Sequence, residues 1–209
     1  MDTALQPRTR GVEPAGPGDE DLLRAAAYRL LGRLLAAPPD GGLLGRLQAI
    51  EVPAEAGQGL AVAWRSLGLA AERASVEAVA DEFQDLFIGL GRGELVPYGS
   101  WYLTGFLMER PLALLRRELA ALGFERQPGV CEPEDHAGAL CEVMAMLIGG
   151  AERAPHAQQQ RFFEQHIGSW LGRFFADLRG ARSGRFYRAV GQLGEQFIGV
   201  EQQYYAMLA

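Results

Sequence analysis

Lysine is absent from this 209-residue chain, cysteine occurs twice and histidine three times, and no apolar run approaches the roughly 18 residues that cross a bilayer. Each shortage removes a class of function. All 20 basic residues are arginine, which beside the abundant alanine and glycine reads as a compositional bias with no function of its own. Cys131 precedes a predicted helix and Cys141 lies within it, too far apart along that helix for a disulfide, so both are expected to be free thiols. Cys141, on an apolar stripe, is an unsuitable nucleophile because burial raises a thiol pKa. His136, His156 and His166 form no His-x-x-x-His pair and the cysteines lack finger spacing, which argues against a compact metal site. The run Gly89-Leu90-Gly91-Arg92-Gly93 has no Lys-Ser/Thr after it and follows no strand, so it is not a phosphate loop. A net charge of −6 without a basic stripe argues against nucleic acid and suits a basic peptide better. Arg8 and Arg10 are followed by Gly, Pro and Glu rather than by an apolar block, so no secretory signal is read and the chain is expected to stay in the cytoplasm.

What is present is a helical pattern. With 48% hydrophobic residues the chain can bury a core, as one domain or as two small parts sharing a core. Residues 1–18, rich in proline and glycine, read as a disordered arm. Asp19 caps a helix whose Leu22, Leu23, Ala26, Leu30 and Leu34 fall at helical spacing until Pro38-Pro39 stops it. Further helices are expected over 43–50, 59–69, 75–88, 100–109 and 111–122, with Gly123 as a C-terminal cap. Residues 127–131 read as a connector to an acidic helix opened by Glu132-Pro133, in which Met144 and Met146 serve core packing. A polar helix start near Pro155, a long stretch over 162–178 and a last helix over 186–205 complete the chain. No stretch alternates with period two for long enough to make a strand. The expected fold is all-α, a bundle-like domain of roughly nine or ten helices over 19–209, with 89–97 as a candidate hinge.

Two segments concentrate chemistry. Glu132-Pro133-Glu134-Asp135-His136 sets three carboxylates and an imidazole at a helix start, where acidic groups gain from the helix dipole. Glu132 is read as the cap, with Asp135 turning back to the free N–H groups of the same helix and raising the proton affinity of His136 beside it. Upstream, Phe87 precedes the Gly-rich break, and Tyr98-Gly99-Ser100-Trp101-Tyr102 places three aromatics in five residues after it. Tyr98, Trp101 and Tyr102 can share adjoining faces of one turn and line an apolar groove.

These segments, with Trp170, Phe174 and Phe186-Tyr187 near the C-terminus, resemble the TorD/DmsD family of redox-enzyme maturation chaperones. The resemblance extends from about Asp81 to the C-terminus and more loosely back to Leu22; Val96 stands where the family often has the first of two prolines. It implies a non-enzymatic cytoplasmic chaperone without a cofactor of its own. Such a protein binds the twin-arginine signal peptide or the apoprotein of a molybdopterin-containing oxidoreductase, and is a monomer or a helix-exchanged dimer. Phe87, Tyr98, Gly99, Ser100, Trp101 and Tyr102 would form the apolar part of the peptide site, and Glu132, Pro133, Glu134, Asp135 and His136 its polar end. Three alternatives remain: an assembly chaperone of the nitrate-reductase type for a subunit that is not exported, a metal-dependent hydrolase centred on His136, and a helical adaptor in which the acidic run is only a cap.

Overall fold

The computed structural model describes residues 18–52, 59–126, 129, 132–150 and 153–208. Among them are ten α-helices: α1 (Asp19–Ala36), α2 (Gly41–Gln48), α3 (Leu60–Glu72), α4 (Val76–Phe83), α5 (Gly99–Thr104), α6 (Arg110–Ala121), α7 (Ala137–Gly149), α8 (His156–His166), α9 (Leu171–Gly180) and α10 (Phe186–Leu208). Strand pairing in the described residues is limited to one antiparallel bridge, Tyr98 to His136. No described helix is long and apolar enough to cross a membrane. The all-α reading of the sequence holds.

Helix α7 is apolar on all but one narrow stripe, where Glu142 and Met146 are exposed, as a helix buried on most sides must be, and it packs chiefly on α1 and α8. Glycine sets the α1–α7 spacing: a Cβ on Gly32 would lie 3.0 Å from the Glu142 side chain and 3.1 Å from the Gly138 carbonyl oxygen. Helix α10 packs on α9, α3 and α1. At the α9–α10 contact, a Cβ on Gly194 would fall 2.2 Å from the Phe175 ring, so only glycine fits. Trp170, Tyr28, Tyr187, Tyr205, Phe162, Phe174 and Phe175 are fully buried and supply the bulk of the core. Cys141 is buried among them, and burial pushes its thiol well above the usual range; Cys131 lies outside the described residues.

Buried charges join distant parts of the chain. Arg24 on α1 grips Glu201 on α10 through two bonds of 2.7 and 2.8 Å and donates a third, of 2.7 Å, to the Tyr205 hydroxyl. Glu82, at the end of α4, accepts the backbone N–H groups of Arg185, Phe186 and Tyr187 at 2.7, 3.1 and 2.6 Å. The N-terminus of α10 is thus capped by a carboxylate about a hundred residues upstream, which satisfies donors that a helix start leaves free. Glu94 likewise accepts from Arg182 and Ser183, at 2.7 and 2.9 Å.

Several boundaries differ from those read in the sequence. The helix expected over 75–88 ends in a π turn at Gln84–Ile88, closed by the Gly89 N–H on the Gln84 carbonyl at 2.7 Å. The helix expected to reach Glu109 stops at Thr104, because Gly105 takes a left-handed φ of 81° and its N–H closes on the Trp101 carbonyl. The stretch over 162–178 is two helices, broken at Ile167–Trp170 where the Gly168 N–H turns back to the Phe163 carbonyl. Helix α7 begins at Ala137, not at Glu132: the His136 N–H bonds the Pro133 carbonyl at 3.1 Å, which closes a turn ahead of the helix. Met144 is buried as expected, whereas Met146 is 43% exposed. The arm over 1–17, residues 53–58 and most of the 127–131 connector lie outside the described residues.

Candidate functional site

The two segments singled out in the sequence lie side by side. Pro97 has no N–H to offer, but its carbonyl accepts the Ala137 N–H at 2.8 Å, and the Gly99 N–H bonds the Asp135 carbonyl at 2.9 Å. Gly99 lets the next layer approach closely: a Cβ there would press on the Trp170 indole at 3.2 Å. With the two backbones tied, one carboxylate oxygen of Asp135 accepts the Ser100 N–H at 2.7 Å. Asp135 therefore caps α5, not its own helix. His136 takes that second role, its Nδ1 accepting the Gly138 N–H at 3.1 Å at the start of α7. Two adjacent residues thus cap two different helices.

The electrostatics depart from the sequence reading at His136. Burial presses its imidazole down to about 4, and the neighbouring Asp135 carboxylate offsets only part of this, so the side chain is a neutral acceptor near pH 7 rather than one with raised proton affinity. Asp135 is 3% exposed; its second oxygen and the Ser100 hydroxyl have no hydrogen-bond partner among the described residues. Partial burial and then Asp135 hold the Glu132 carboxyl above the usual range. Burial also acts on Glu134, but a backbone hydrogen bond, Arg116 at 2.8 Å and Arg126 outweigh it and hold this carboxyl low. Of the three carboxylates, Glu134 is neutralised by arginines and Asp135 is sunk, so the polar end is less negative than the sequence suggests.

The aromatics diverge instead of lining one trough. Tyr98 sets its edge against the His136 ring, centroids 5.3 Å apart, and its hydroxyl donates to Glu132. Trp101 is covered by the Arg92 guanidinium 4.7 Å above its ring. Tyr102 donates to Asp177 at 2.8 Å and packs on Trp170 and Phe174. Phe87 packs against Phe83 and Tyr187, with centroids at 5.0 and 5.5 Å.

Tyr98, Trp101, Tyr102 and Phe87 do not line the apolar groove beside them. A groove of about 910 Å³ runs between α5, α6 and α8, walled by Leu103, Leu114, Leu115, Leu140 and Trp170, with Gly99 and Asp135 inside and Arg110, Arg117 and Arg161 also lining it. The sequence reading did not single out the α6 and α8 members. Their signal was available on α6, where Arg110, Leu114 and Arg117 recur at the steps of one helix face. No group of three His, Cys, Asp or Glu among the described residues could hold a metal ion. The three histidines have separate partners, His156 the Tyr204 hydroxyl, His166 the Glu118 carboxylate and His136 the Gly138 N–H.

The family model for the nitrate reductase delta subunit matches residues 54–176, more than half of the chain. The chain belongs to this family. Among its family relatives, chaperone protein TorD of Shewanella loihica is 28% identical over 194 residues, covering 85% of this chain and 90% of that protein. TorD of Vibrio cholerae is 31% identical over 134 residues, so that match spans about 60% of the length of either protein. The probable Tat proofreading chaperone DmsD of Haemophilus influenzae is 30% identical over 124 residues, covering 58% of this chain and 59% of that one. A crystal structure of a candidate redox enzyme maturation protein from Archaeoglobus fulgidus shares the fold, with a TM-score of 0.58 at 17% identity over 85% of this chain and 94% of that one. The relatives' names are those of chaperones, not of catalysts.

Proposed function

We propose that this chain is a cytoplasmic maturation chaperone that binds the twin-arginine leader and the apoprotein of a molybdopterin-containing oxidoreductase until its cofactor is in place. One observation carries the reading: Asp135, a residue of the groove lining, is fixed to α5 through one carboxylate oxygen while its other oxygen, buried, has no hydrogen-bond partner among the described residues. A leader offers two guanidinium groups and then a short apolar block, so its receptor needs an apolar channel beside hydrogen-bond acceptors. In this reading the block lies against Leu103, Leu114 and Trp170. One arginine addresses Asp135 and Glu132, and the other takes the face of Trp101 now covered by Arg92. The protein acts as a monomer or as a dimer that exchanges helices about 89–97.

Titration calorimetry of the full chain with a synthetic twin-arginine leader tests this. Binding is expected, and Glu132→Gln or Leu114→Asp should weaken it by about tenfold. The family's own description favours a second reading, in which the cargo is a nitrate reductase subunit that carries no leader and stays in the cytoplasm. No leader binding, together with co-purification of such a subunit from the native host, would select it.

A further inference from the structure

The mouth of the groove is both greasy and basic. Phe106, Leu107 and Met108, between α5 and α6, are 69%, 47% and 74% exposed, and Leu103 and Leu114 are each 42% exposed on the groove wall. Several exposed apolar residues so close along the chain to a groove wall favour a binding face there. Met108 has a left-handed φ of 60°, costly for a residue with a Cβ, so the loop is held in a strained form with its apolar side chains outward.

Beside this surface three arginines line the groove, Arg110, Arg117 and Arg161, against Glu118, while Glu109 is exposed in the loop itself. Arg161 reaches Glu118 at 3.3 Å, but Glu118 is already bonded to His166 at 2.8 Å. Arg110 and Arg117, exposed on one face of α6, have no acidic partner among the described residues, whereas their neighbour Arg116 turns away to Glu134. A leader's arginine pair would be repelled here. The acceptor that suits it is the opposite charge within the groove, Asp135.

We infer that the mouth of this groove receives an acidic side chain. Its occupant is then an apolar segment with Asp or Glu at one end, and a leader lies with its arginines toward Asp135 and an acid toward Arg110 and Arg117. The leader as occupant rests on the function proposed above; the preference for an apolar segment with an acidic end does not. The two guanidinium groups act by charge complementarity, which sets orientation and specificity more than raw affinity.

The test is fluorescence anisotropy of the full chain with labelled peptides that share one apolar block followed by Asp-Asp, Ser-Ser or Arg-Arg, each made with and without a leading Arg-Arg. The Asp-Asp peptides should bind about tenfold more tightly than the Arg-Arg-ended ones, with Ser-Ser between. Arg110→Glu with Arg117→Glu, both on exposed positions and checked for helicity, should invert the order. Equal affinities, or an order that survives the charge reversal, would overturn the inference. If the acidic preference holds but a leading Arg-Arg adds nothing, the inference stands and the leader reading falls. A dimer that no peptide dissociates overturns it too, since the groove would then be closed to peptides of any charge.

Discussion

Asp135 holds the Ser100 backbone N–H at 2.7 Å across 35 residues of sequence, and this bond fixes where α5 begins relative to α7. Its second oxygen, in a residue that is 3% exposed, has no partner among the described residues, so the bond does two jobs with one side chain.

Replacing that side chain separates the jobs. Asp135→Ala leaves the Ser100 N–H without its acceptor and should cost about 2 kcal/mol of stability. Asp135→Asn keeps an acceptor oxygen in place and should cost about half as much, yet it removes the charge offered to a guanidinium. Urea unfolding of both variants, set beside their affinities for a leader, is expected to show the asparagine variant nearer to wild type in stability than in binding.

Folding stability should fall on the acid side through His136. Above the ordinary histidine value of about 6.5 the imidazole is neutral in both the folded and unfolded chain, and its contribution is fully present. As the pH drops from there toward about 4, where burial has pushed the folded group, the unfolded chain takes up a proton that the folded chain refuses. The loss is at most roughly 3 kcal/mol and levels off below the folded value. Glu94 and Glu134, held low in the fold, add a further loss that begins as the pH falls through the ordinary carboxylate range and continues below it. His136→Asn retains an acceptor for the Gly138 N–H without titrating, so urea midpoints taken between pH 7.5 and 4.5 should fall less steeply for it than for wild type.

Much of this site could be read from the chain alone, and the unread part has a common cause. Glu132 to His136 and Tyr98 to Tyr102 stand out by composition, and the structure ties them together through Gly99, Ser100 and Asp135. Asp135 was expected to serve its own helix, because local spacing cannot reveal that the free donors it meets belong to α5. The divergence of Tyr98, Trp101 and Tyr102 was hidden for the same reason: His136, Arg92 and Asp177, which draw them apart, are non-local. Gly105, by contrast, is a stop signal for α5 that stands in the sequence itself. Arg161 joins Arg110 and Arg117 only in the folded molecule, since α6 and α8 are brought together by packing.

The long-range carboxylates predict the larger stability effects. Glu201→Ala takes the bidentate partner from buried Arg24 and leaves it Asp21 at 3.1 Å, so the cost should fall at the lower end of the about 3–5 kcal/mol for breaking a buried pair. Adding Arg24→Met to Glu201→Ala should recover part of that loss, because the stranded charge is gone. Thermal unfolding of the two single variants and the double variant measures the coupling.

Arg92 and Trp101 supply the last test, which separates stability from recognition. The guanidinium lies 4.7 Å over the indole from an exposed, glycine-flanked loop, a contact worth about 0.5–1 kcal/mol at such a site. Arg92→Ala should therefore leave the unfolding midpoint nearly unchanged. If a leader arginine must take the same face, the variant frees that face in advance, and calorimetric affinity for a twin-arginine peptide should rise about threefold, the size of the contact removed. Trp101→Leu should lower that affinity and make it indifferent to whether Arg92 is present. A fall in affinity with Arg92→Ala would instead place Arg92 among the groups that hold the peptide, and the idea that it occupies an arginine's seat would be lost.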